Sequence, residues 1–184
     1  MTSFLAGKLL VASRHLRDPN FLRTVVLILE HTADGALGVV LNRPSGRTVQ
    51  EVWRAIEAPP CDSQAPIYVG GPVPGPLIAL HTDAQVAEKR VLPGLFMAIE
   101  REKIDALVRQ DDKPFRLYSS NSGWGAGQLE SELAAGGWLT TDALAGDVFA
   151  SAESLWTDVT KRIGLKIMLP KTPPDRLPSD PSMN

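Results

Sequence analysis

Apolar positions along the chain fall into two kinds of pattern, short unbroken runs and helix-spaced stripes. The clearest runs are residues 25–29 (VVLIL) and 37–41 (LGVVL), on either side of a polar connection carrying Asp34-Gly35. Both are short, rich in β-branched residues and bounded by turn formers, which predicts two antiparallel strands. Gly35 takes positive φ at little cost, as a tight hairpin needs. Successive rather than alternate residues are apolar, so both faces of this hairpin are expected to be covered, at the centre of the core.

The other elements follow from the same reading. Residues 9–12 predict a first strand, and Asp18-Pro19 a turn before the hairpin. Thr48 and Glu51 have capping-box spacing, and Val49, Val52, Trp53 and Ile56 recur at helical spacing until Pro59-Pro60 stops the pattern. Residues 67–69 predict a short strand and residues 70–76 (GGPVPGP) a shaped loop, with another strand at 77–81. Two irregular strands are expected over 86–97, broken at Pro93-Gly94, then an amphipathic helix over 101–110. Residues 115–118 predict a strand and 122–127 a glycine-rich connection. A helix carrying Leu129 and Leu133 should stop at Gly136-Gly137. Residues 138–140 and 148–149 read as brief strands, and Leu155, Trp156, Val159 and Ile163 mark a last helix. Strands with interspersed helices, opening on a hairpin, argue for an α+β fold rather than a βαβ array. Residues 1–169 are expected to form one α+β domain, with 170–184, holding Pro170, Pro173, Pro174, Pro178 and Pro181, an extended proline-rich tail.

Composition narrows the function classes. The chain has 184 residues, 43% hydrophobic and 22% charged, ordinary for a domain with a full core. Its formal net charge of −2 argues against nucleic acid as a partner, since binding the phosphate backbone needs a basic field. Arg14, Arg17 and Arg23 form a local basic stretch, read as a solvated face. The single cysteine, Cys61, excludes an internal disulfide and a cysteine metal cluster, and reads as an incidental thiol. The opening residues lack the pattern of a signal peptide and no stretch has the length of a membrane span, so a cytoplasmic protein without membrane contact is expected.

Candidate chemistry is sparse. The histidines are His15, His31 and His81; none forms an H-x-H or H-x-x-x-H pair, so no metal site is expected. His31 and His81 end predicted strands and would serve as bases only in an alternative reading as a small-molecule hydrolase, for which no G-x-S-x-G elbow is present. Glu30 and His31 are adjacent on a strand and should face opposite ways. Gly123-x-Gly125-x-Gly127 lacks the Rossmann spacing, so no cofactor is expected, and a turn that lets Trp124 pack is preferred over an anion cradle. Trp53 and Trp156 fall on apolar helix stripes, whereas Trp124 lies on a predicted loop, where exposure would make it a partner contact.

Several separated motifs occur together: Gly7 to Ala12 (GKLLVA), Asp18-Pro19-Asn20-Phe21, Glu30-His31, Gly35-Ala36-Leu37-Gly38, Asn42-Arg43-Pro44, Gly70-Gly71-Pro72-Val73, Leu80-His81 and Gly123 to Leu129 (GWGAGQL). Taken in order, from about Leu5 to Leu169, they resemble the YqgE/AlgH family of bacterial proteins. The resemblance implies a compact α+β domain with a largely antiparallel, barrel-like sheet, in a family sometimes labelled transcriptional regulators. Ser120-Asn121-Ser122 stands where the family usually has Gly-Tyr-Ala, and Ala126 replaces a usual proline. Because the unusual residues lie at loops and strand ends without a catalytic set, the leading expectation is a non-catalytic binding or regulatory domain. Its expected contact surface is Asn42, Arg43, Pro44, Gly70, Gly71, Pro72, Trp124, Gly125, Gly127 and Gln128, facing a protein or small-ligand partner.

Overall fold

In the computed structural model, which describes residues 5–168, the hairpin forms where the apolar pattern puts it and runs further. Strand β2 spans Val25–Thr32 and β3 spans Gly35–Val40, paired antiparallel with a register shift between Ile28 and Glu30. Residues 25–29 are all buried, so the hairpin is covered on both faces. Gly35 has φ +139°, and a side chain there would meet the Trp124 carbonyl. This glycine serves the turn and also a close strand approach.

Strand β1 (Lys8–Ala12) flanks β2, and β9 (Phe115–Gly125) flanks β3. The remaining strands are β4 (Pro44–Thr48), β5 (Pro66–Tyr68), β6 (Val73–His81), β7 (Lys89–Leu92), β8 (Leu95–Ala98) and β10 (Trp138–Asp142). The sheet order is β10-β1-β2-β3-β9-β6-β8-β7, with β4 and β5 joined to the side of β9. Among the described residues every pairing is antiparallel except β5 on β9. The sheet curls into a half-barrel: Lys89 at its far edge pairs with Glu30, and Gly7 lies against the Val91 carbonyl. This is the α+β, largely antiparallel architecture that the resemblance implies.

Helices cover both sides. Helices α4 (Ala145–Phe149) and α5 (Leu155–Met168) bring Val148, Leu155, Val159 and Ile163 onto the inner face, against Leu9, Leu27, Leu41, Leu80 and Tyr118. On the outer face, α1 (Val49–Ala55) and α2 (Arg101–Arg109) bury Trp53, Ile104 and Leu107 against Ile67, Ala79 and Leu117. Helix α3 (Gln128–Ala134) places Leu129 beside Trp124 and Trp138 over Leu10, Val26 and Ile28. The capping box at Thr48 and Glu51 is present, each side chain taking the other residue's backbone N–H.

The structure corrects the expected elements in three places. Residues 73–76 belong to β6 rather than to a loop: a register shift between Pro74 and Ile78 absorbs prolines that cannot donate to a ladder. Residues 119–125 continue β9, because β3 and β6 pair with them on either side. Residues 148–149 are helical rather than strand. Asp147 accepts the Leu144 N–H at 2.8 Å and holds Arg162 through two contacts of 2.9 Å, which closes a helical turn. The proposed tail, 170–184, lies outside the described residues.

Candidate binding surface

The two histidines considered as bases sit at opposite ends of the sheet. His31, 7% exposed at the end of β2, accepts the Leu5 N–H through Nδ1 at 3.1 Å. Its Nε2 faces Glu130 of α3 at 2.9 Å, so the proton of the neutral ring belongs on Nε2. Glu30 points the other way and pairs with Lys89, as strand alternation requires. His81 ends β6 beside Phe115, is fully buried, and lies tilted against Phe96 with ring centroids 6.1 Å apart. Neither of its ring nitrogens has a hydrogen-bond partner among the described residues. Burial holds its pKa below the usual imidazole value, with the Asp83 charge, the Asp83 backbone and the Glu88 charge acting in the opposite sense. Asp83 is held low mainly by its hydrogen bond with Lys113, at 2.8 Å, and by the Gln85 N–H at 2.9 Å.

The expected contact surface divides in two. The Val40 N–H donates to Gly70 O and the Val69 N–H to Arg43 O, each at 2.8 Å, while Pro44 pairs with Tyr68. Asn42, Arg43, Pro44, Gly70, Gly71 and Pro72 therefore come together at the end of β3. Trp124, Gly125, Gly127 and Gln128 lie at the opposite end of that strand, where Gly125 faces Gly35 and Trp124 faces Ala36. Trp124 is 5% exposed and sits in β9, which excludes it from an open surface. Its indole N–H donates to Glu132 at 3.1 Å, and Phe21 stacks on it with ring centroids 6.0 Å apart. Gln128 is tied locally, accepting from Gly125 N and donating to Glu132.

Within the first cluster the parts differ in role. The Asn42 side chain accepts the Val25 N–H at 3.0 Å and donates to Arg23 O at 2.9 Å, pinning two chain segments. Gly70 and Gly71 lie so close to β9 that a side chain on either would meet the backbone of Ser120 or Asn121. Ser120 and Ser122 bind these glycines through their hydroxyls, at 2.7 Å to Gly71 O and 3.0 Å to Gly70 O. The Ser120-Asn121-Ser122 departure from the family pattern is thus knitted into the sheet. Pro44 and Pro72 stand exposed, with Arg43 half-buried between segments.

Sequence reading passed over Arg116 and Tyr118. Arg116 points inward, its guanidinium 4.2 Å from the Tyr68 ring and donating to Leu41 O at 3.4 Å and Ala150 O at 3.2 Å. Tyr118 lies two residues on along the same face, fully buried, its hydroxyl without a hydrogen-bond partner among the described residues. Burial pushes that hydroxyl's pKa up, against the pull of the Arg116 charge. The available signal was a charged residue two positions from an aromatic one in a predicted strand, which puts both on one face.

This layout, a curled antiparallel half-barrel with helices on both sides and polar strand-end loops, defines an α+β domain. The AlgH-like family profile, DUF179, matches residues 9–168, and the chain belongs to that family. A UPF0301 protein of Myxococcus xanthus strain DK1622 is 40% identical over 162 residues, covering 86% of this chain and 90% of the relative. Among solved structures, the AlgH protein from Pseudomonas aeruginosa superposes with a TM-score of 0.72 at 31% identity, covering 94% of this chain and 97% of that one. The crystal structure of a Corynebacterium diphtheriae protein gives a TM-score of 0.70 at 26% identity, covering 88% of each. No described helix is long and apolar enough to cross a membrane.

Proposed function

We propose that the protein is a non-catalytic cytoplasmic binding domain with a regulatory role, acting through the face where Asn42-Arg43-Pro44 meets Gly70-Gly71-Pro72. The observation that carries this reading is how the polar strand-end residues are employed. His31 bridges Leu5 and Glu130, and His81 is sealed from solvent, whereas Pro44 and Pro72 stand open beside Arg43. A general base needs reach to a substrate proton, which a fully buried ring lacks. The family's transcriptional label is read here as action through a protein or small-ligand partner, because the net charge of −2 supplies no field for DNA.

Site-specific photo-crosslinking in growing bacteria tests the surface, with the reactive side chain at Arg43 or, as the control, at the exposed Ala126 across the sheet. Adducts formed at 43 and not at 126 support it; adducts at 126 alone, or at neither position, overturn it. Turnover of an ester, amide or phosphoester panel that disappears in His31→Ala or His81→Ala refutes the non-catalytic part.

A further inference from the structure

Three arginines from distant parts of the chain are held at one end of the sheet, each by a different device. Arg23 has φ +53°, a left-handed conformation uncommon for a residue with a side chain. Asn42 fixes that bend through the Arg23 carbonyl, and the guanidinium lies 5.7 Å from the centre of the Trp156 ring. Arg43 donates to Pro19 O at 3.2 Å, in the loop that leads to Arg23. Arg116 is stacked on Tyr68 and reaches Leu41 O, at the end of the strand that Asn42 and Arg43 follow. Trp156 is itself anchored, its indole donating to Ala12 O at 2.9 Å at the end of β1. Segments 19–23, 41–43 and 150–156 thus adjoin, and each presents a guanidinium or one of its supports.

None of these three arginines pairs with a carboxylate among the described residues, although Lys8, Lys89, Lys103, Lys113 and Arg162 do. Their partners are carbonyls and aromatic faces, which orient a guanidinium without neutralising it. A guanidinium carries five N–H donors, so donors remain on each. Asp18, in the same loop, closes its own turn by accepting the Asn20 N–H at 2.8 Å.

We infer that this strand end recognises the phosphate group of a small soluble ligand, held by Arg23, Arg43 and Arg116. Planar guanidinium forks match the oxygens of a phosphate, and prior anchoring lowers the entropy lost on binding. A nucleobase has no platform here, because the Trp156 and Tyr68 rings already carry guanidinium groups; the recognition is of the anion. The inference rests on the binding-surface reading and gives it a ligand class.

Inorganic phosphate and pyrophosphate are titrated into the full chain at constant ionic strength and followed by backbone amide shifts, with chloride as reference. The expected result is a saturable response confined to residues 19–23, 41–43 and 150–156, stronger for pyrophosphate, and weakened about tenfold in Arg43→Gln and in Arg23→Gln. Arg43→Lys, which keeps the charge and loses the fork, should fall between Arg43→Gln and wild type. Should either glutamine variant fail to give a folded spectrum, Arg43→Lys alone decides: unchanged affinity overturns the inference. A response matched by chloride, one that does not saturate, or an adventitious ion mapped elsewhere also overturns it. Those outcomes leave a crosslink at position 43 standing, so the two failures can be told apart.

Discussion

Replacing Glu132 with alanine is the most informative single perturbation of the outer face. One carboxylate oxygen of Glu132 accepts both the Trp138 indole N–H at 2.8 Å and the Trp124 indole N–H at 3.1 Å. Its other oxygen accepts from Gln128 at 3.0 Å. Trp124 and Trp138 are 5% and 3% exposed and meet edge to face, so truncation strands two indole donors in an apolar wall. A stranded buried donor costs about 1–3 kcal/mol, and alanine's better helix propensity returns only a few tenths. Partial access of water to the vacated position caps the total, which we place at about 2–4 kcal/mol. Glu132→Gln keeps one acceptor oxygen but loses the charge, and should cost about half as much.

The assay is urea denaturation followed by far-UV circular dichroism, because indole fluorescence reports the altered groups themselves. With the denaturant slope unchanged, the midpoint of Glu132→Ala should fall well below wild type, with Glu132→Gln between. A loss below about 1 kcal/mol for the alanine variant would refute the claim that this carboxylate fastens α3 to the two tryptophans. Helix α3 has only 7 residues and cannot persist without such a tether.

Three further outcomes are expected. His81 titrates below its ordinary value of 6.5 in the folded protein because its ring is buried, so below that pH the unfolded chain binds more protons at this position than the folded one. Stability should therefore fall as pH drops from 6.5 toward the lowered value, and His81→Leu, compared with wild type between pH 7.5 and 5, should gain relative stability; a constant difference would contradict the lowered titration of the buried ring. Asn42→Ala removes both pins between segments 23–25 and 42 and should cost about 1–2 kcal/mol in the same urea assay, with amide exchange rising at Val25. Gly71→Ala drives a methyl group into Asn121 and Ser122 and should cost about 3 kcal/mol or more; a stable, soluble variant would mean that the 70–72 segment is not seated on β9.

The legible parts of this fold are those where one local rule decides the outcome. Residues 25–29 and 37–41 are apolar without alternation, and only a hairpin covered on both faces accommodates that. Thr48 and Glu51 announce a helix start through groups in contact with each other, so no distant residue is needed. Where reading failed, the deciding partner is far along the chain. Residues 119–125 lie beyond the strand expected at 115–118, and 122–125 fall in the expected glycine-rich connection, because Ser, Asn and Gly lack strand propensity. They are strand because β3 and β6 supply their hydrogen bonds from 35–38 and 73–74, and because Gly70 and Gly71 admit the Ser122 and Ser120 hydroxyls. Residues 148–149 were apolar and short enough for a strand; the ion pair from Arg162 to Asp147 made them helical.

The same distinction governs the site. Asn42-Arg43-Pro44 and Gly70-Gly71-Pro72 stand out in sequence through turn chemistry, and they meet because β4 and β5 pair in between. Trp124 stands out equally but for another reason: it packs on Phe21 and Trp138 and bonds to Glu132, so its neighbouring glycines serve the backbone. Arg116 carries no motif at all, and Arg23 only its place in a basic stretch with Arg14 and Arg17. Their proximity follows from the half-barrel, which returns residue 116 to the carbonyl of Leu41, and from Asn42, which draws the carbonyl of Arg23 to the same strand end. A side chain that acts through position rather than chemistry of its own leaves no mark in a linear pattern. Here the residues with little sequence signal are the ones the fold anchors on carbonyls and aromatic rings, with no carboxylate partner among the described residues.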